Sequence, residues 1–125
     1  MPFQGQGDID FALSLATVIA LRQLRKYPNI PKLYASGVRY ARDVCRAPHV
    51  AGACERFLSP LDVLREGKIG DCDDLAPWLA AQRIIEGDRR ARAISIRAPG
   101  IGFHAIVRRG DGRIEDPSKV LGMGS

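Results

Sequence analysis

The hydrophobic period of this chain changes at Gly87, and that change limits the folds open to it. Before Gly87, Leu75, Trp78, Leu79, Gln82 and Ile85 recur at helical spacing. After it, Ala93-Ile94-Ser95-Ile96-Arg97 alternates as a strand does. Gly102 to Arg109 reads as a second strand and Arg113 to Asp116 as a third, with Gly110-Asp111-Gly112 as a hairpin signal between them. Helices first and strands last predict an α+β fold, with N-terminal helices packed on a small antiparallel sheet. The 125 residues suffice for one core, so a single domain over 1–125 is expected, with 1–7 loose.

The helix before Gly87 starts at a chemically loaded point. Gly70 and Asp71 form a turn, and Cys72 follows at or next to the helix N-terminus. Unpaired N–H groups and the positive end of the helix dipole favour a thiolate there. Asp71, Asp73 and Asp74 oppose it, unless they turn away or bind backbone N–H groups. Pro77 lies about one turn inside the helix and removes one of its hydrogen bonds. Downstream, Phe103-His104-Ala105-Ile106-Val107 puts a histidine on a strand, and Asp116-Pro117 ends the next. A cysteine opening a helix, then a strand histidine, then an aspartate, is the order of a thiol-based acyl-transfer triad.

Taken together, Ser59-Pro60, Gly70-Asp71-Cys72-Asp73-Asp74-Leu75-Ala76, Phe103-His104-Ala105-Ile106-Val107 and Gly112-Arg113-Ile114-Glu115-Asp116-Pro117 resemble the transglutaminase-like branch of the papain-like cysteine hydrolases. The resemblance is to the small phage-associated type and covers roughly the C-terminal two-thirds of the chain. It implies a papain- or transglutaminase-like fold with Cys72 as nucleophile, His104 as base and Asp116 as the group orienting the histidine. It implies no cofactor and no metal. Where relatives carry a polar residue just before the Ser-Pro, this chain has Leu58, so no side-chain oxyanion donor is evident.

Strand parity tests whether His104 and Asp116 can meet, because successive side chains face opposite sides of a sheet. A two-residue Asp111-Gly112 turn puts Asp116 on the wrong face. A three-residue Gly110-Asp111-Gly112 loop sets it across from Ile106, diagonal to His104 and within reach of two polar side chains. A five-residue loop sets the two directly opposite, so a three- or five-residue turn, or a bulge that restores parity, is expected.

The N-terminal third is read more coarsely. Asp8 or Asp10 is expected to cap a helix running to about Tyr27, with Pro28 and Pro31 beyond it. That helix is apolar nearly all round from Ile9 to Leu21, so it is buried on more than one side or docks on a partner. Val38 to Arg42 reads as a short strand, and Pro60 to Leu64 as a helical turn ended at Gly67. Cys45, His49 and Cys54 offer soft metal ligands but fit no standard zinc spacing.

Composition narrows the partners. A net charge of +5 suits an acidic partner, but the arginine clusters at 89–92 and 108–109 lack interleaved aromatics, which disfavours nucleic acid. Three cysteines without paired spacing suit a reducing compartment. Met1 to Asp10 lacks the basic n-region of a secretory signal, and the run from Phe11 to Leu21 is too short to span a bilayer. Synthesis in the cytoplasm of a bacterial host is expected, with incorporation into a phage particle as a possible destination. Two functions follow. One is an amide hydrolase or acyl transferase acting on peptide or protein amides through a thioester. The other is a non-catalytic virion or assembly protein that keeps the fold and contacts other virion proteins.

Overall fold

The computed structural model describes residues 6–42, 57–99 and 102–123. In chain order these form α1 (Gln6–Lys26), a 3-10 turn (Leu33–Ala35), β1 (Arg39–Tyr40), α2 (Pro60–Arg65), β2 (Ile69–Gly70) and α3 (Cys72–Ile85). Then follow β3 (Arg92–Ala98), β4 (Gly102–Arg108), β5 (Ile114–Glu115) and α4 (Pro117–Val120). The fold is α+β: α1, α2 and α3 and a short parallel β1-β2 pair come before an antiparallel β3-β4-β5 sheet, and α4 follows it.

Helix α3 is the centre of the molecule. Every residue from Asp74 to Gln82 is buried, so the helix is enclosed on all sides. Leu75, Trp78 and Leu79 join Leu13 of α1, Leu33, Val63 of α2 and Ala93, Ala105 and Val107 of the sheet in one core. The alanines matter because a small side chain lets a helix approach a strand closely. Pro77 is buried in this helix and cannot bond the Asp73 carbonyl one turn back.

Helix α1 packs on both α3 and β3 through Ile9, Leu13, Thr17 and Ala20. It begins at Gln6, so neither Asp8 nor Asp10 is its cap. Asp10 instead spans to the sheet, where one carboxylate oxygen accepts from Ser95 N at 2.7 Å and from Ser95 Oγ at 2.8 Å. A tertiary contact has taken the acid that local capping rules assigned to the helix end. Asp10→Ala should therefore lower stability by about 1–3 kcal/mol, measured by denaturant midpoint, because two donors lose a shared charged acceptor.

The strand expected over Val38 to Arg42 shrinks to two residues, and its pairing is parallel, with Arg39 beside Ile69 and Tyr40 beside Gly70. Gly70 is thus a strand residue rather than part of a turn. A Cβ there would lie 3.2 Å from Asp74 Cβ and 3.4 Å from a Leu75 methyl, so glycine lets this strand press against the first turn of α3. Helix α2 has a complete capping box between Ser59 and Asp62, with Pro60 at its first turn. No helix among the described residues is long and apolar enough to cross a membrane. Cys45, His49 and Cys54 lie outside the described residues.

Candidate active site

The site begins with the turn of chain that leaves β2. Asp71 caps α3, accepting from Asp73 N at 3.0 Å, while Asp74 reaches back to accept from Asp71 N at 3.1 Å. The other Asp74 oxygen accepts from Leu58 N at 2.7 Å, which ties the segment before α2 to the head of α3. Two of the three acids around Cys72 are thus engaged by backbone donors. Burial, and then the neighbouring Asp71, push the Asp74 carboxyl up from 3.8 to about 8.

That shift has a sign. The folded value lies above the unfolded one, so the native state keeps a proton that the unfolded chain releases. The contribution is complete below the unfolded value and disappears as pH rises through the folded one. Unfolding free energy should fall between about pH 4 and pH 8, with a slope of at most about 1.4 kcal/mol per pH unit. Denaturant titrations across that range should show a flatter profile for Asp74→Asn than for wild type.

Cys72 is the first residue of α3 and is half-buried. Its thiol donates to Asp73 Oδ1 at 3.8 Å. Burial, then Asp73, push the thiol up to about 12, with Asp71 and Asp74 adding to the effect and a backbone hydrogen bond from Ala105 opposing it. The dipole argument for a thiolate is therefore outweighed. Desolvation and three adjacent carboxyls hold this cysteine as a neutral thiol. Asp73→Asn should speed iodoacetamide alkylation of Cys72 at neutral pH, since it removes the largest charge opposing the thiolate.

The Ala105 contact places the sulfur against β4, one residue from His104. His104 is 5% exposed and faces away from the core helices, on the side of the sheet that Ile106 shares. Strand β5 pairs with β4 in the register Val107 to Glu115 and Arg108 to Ile114. Carried one residue further, it sets Asp116 across from Ile106, the parity that a three-residue loop requires. The loop is closed by Arg109 N to Arg113 O at 2.7 Å and Gly112 N to Arg109 O at 3.0 Å, with Gly112 at φ 91.

The result is a direct bond. His104 Nε2 lies 2.8 Å from Asp116 Oδ2. Asp116 also caps α4, its Oδ1 accepting from Lys119 N at 3.4 Å. One carboxylate thus starts a helix with one oxygen and holds an imidazole with the other. With the carboxylate accepting from Nε2–H, the lone pair of the neutral ring sits on Nδ1. His104 and Asp116 are joined, and Cys72 touches the same strand, but its thiol bonds Asp73 rather than the imidazole.

One supporting group was not among the residues singled out from sequence. Glu115, next to Asp116, takes a bidentate bond from Arg83, with Nε to Oε1 and Nη2 to Oε2 both at 2.9 Å. Arg109 adds Nη1 to Oε1 at 2.9 Å and reaches Asp88 through Nε at 2.6 Å. These bonds pin β5 to the end of α3. In the sequence, Arg109 belongs to a pair that reads as solvated charge, and no local pattern links it to Asp88 or Glu115. An open depression of about 550 Å³ lies at the start of β4, lined by Arg97, Ala98, Pro99, Gly102 and Phe103.

Comparison of the chain with protein-family profiles, with curated proteins and with solved structures finds no match.

Proposed function

We propose that this chain is a transglutaminase-like, papain-like cysteine acyl-transfer enzyme that cleaves or exchanges peptide or protein amides, with Cys72, His104 and Asp116 as its triad. The His104–Asp116 bond is the observation that carries the reading. It orients an imidazole on the strand that the Cys72 sulfur touches, and it leaves Nδ1 as the base.

The raised thiol shapes the mechanism. Cys72 does not rest as a thiolate, so His104 Nδ1 takes the thiol proton as the sulfur attacks the amide carbon. The tetrahedral intermediate collapses, the C–N bond breaks, and the imidazolium returns the proton to the leaving amine. The thioester is then discharged by water, giving an acid, or by a second amine, giving a new amide. Asp116 stabilises the imidazolium and fixes its tautomer. The backbone N–H of Cys72 is one candidate oxyanion donor.

The test is intact-mass detection of an acyl adduct on Cys72 after exposure to p-nitrophenyl esters and acyl p-nitroanilides. Discharge by water or by a labelled primary amine separates hydrolysis from transamidation. Absence of a Cys72 adduct with every donor contradicts the proposal. The acidic surround favours a second reading, in which the fold persists without turnover as a virion or assembly component.

A further inference from the structure

Helix α1 has two apolar faces, and only one is used. Ile9, Leu13, Thr17 and Ala20 are buried against α3 and the sheet. On the opposite side, where a surface helix is normally polar, Phe11 is 67% exposed, Leu15 52%, Val18 53% and Ile19 52%. A helix apolar nearly all round calls for burial on more than one side, or for a partner. The structure buries one side and leaves the other bare.

The bare side has an order of its own. Asp8, Phe11, Leu15, Val18, Arg22 and Arg25 are all exposed and alternate steps of three and four residues, the spacing of a helix-pairing seam. An acid stands at one end of that seam and two bases at the other. Its midpoint falls between Leu15 and Val18. Turned antiparallel about that midpoint, a second α1 sets Leu15 against Val18, Phe11 against Arg22 and Asp8 against Arg25. A parallel pair would set Asp8 against Asp8 and Arg25 against Arg25. The stripe is thus its own complement in one orientation, as a two-fold interface must be.

We infer that α1 docks on a second copy of this chain as an antiparallel, two-fold helix pair. The occupant is another copy because the stripe carries both the apolar centre and the matching charges at its ends. One helix pair is a small interface, so the dimer depends on concentration. The inference does not rest on the triad and stands if the chain proves catalytically inert.

Sedimentation velocity of the full chain in reductant, over a concentration series, tests this. The wild type should show a reversible monomer–dimer equilibrium. Leu15→Glu should weaken it at least about tenfold, with circular dichroism confirming an unchanged fold at this exposed position. Asp8→Arg and Arg25→Asp should each weaken it, and the double exchange should restore it. A wild type that stays monomeric throughout overturns the inference. If that monomer co-sediments with anionic phospholipid vesicles, the stripe is a lipid-facing surface instead. A dimer indifferent to Leu15→Glu also overturns it.

Discussion

His104→Ala should slow acylation of Cys72 on the order of 10²- to 10⁴-fold, the range for loss of a positioned general base. The loss should be large because this thiol is held well above its usual range by burial and by Asp73, so it gains little from spontaneous ionisation at neutral pH. Stability should fall too. Asp116 is 18% exposed at its side chain and would lose its Nε2 partner, at a cost of about 1–3 kcal/mol. His104→Gln separates the two effects. Its amide can still donate to Asp116, so much of the stability should return while acylation stays slow. Recovery of acylation in the glutamine variant would mean that His104 is structural.

Asp116→Asn should have the second largest effect. The asparagine oxygen can still cap α4 by accepting from Lys119 N. Its amide, however, donates where the carboxylate accepted, which turns Nε2 into the acceptor and puts the proton on Nδ1. Nδ1 then carries the proton and has no lone pair with which to act as a base. Acylation should drop on the order of 10²- to 10⁴-fold with little change in stability. Asp116→Ala should lose activity similarly and give up a further ~0.5–2 kcal/mol through the missing cap. Equal activity in wild type and Asp116→Asn would remove Asp116 from the mechanism.

Much of this arrangement was legible in the chain because its causes are local. The apolar recurrence from Leu75 to Ile85 is set by a helix that must be buried, and α3 runs from Cys72 to Ile85. The Gly110-Asp111-Gly112 loop fixes parity by counting, so the face on which Asp116 falls could be derived from loop length alone. What was not legible depends on distant residues. Asp10 looked like a helix cap until the sheet brought Ser95 to it across 85 residues of chain. The parallel β1–β2 bridge depends on Gly70 having no side chain to keep it away from Asp74 and Leu75. The Arg83–Glu115 clamp joins two part-buried residues 32 positions apart that no local pattern pairs.

The thiolate expectation failed for a physical reason. The helix dipole acts on Cys72 from one side, but desolvation and the carboxyl of Asp73 act on the same sulfur at close range. At a half-buried position the close-range effects outweigh the dipole. This moves the task of activating the sulfur onto His104.

The most direct measurement is the rate at which p-nitrophenyl acetate acylates Cys72, resolved by mass spectrometry, in wild type and in His104→Gln. The expected result is selective acylation of Cys72 in the wild type and a loss of at least about 10²-fold in the variant. Equal rates in the two proteins, or acylation spread evenly over the three cysteines, would contradict a His104-activated nucleophile at Cys72.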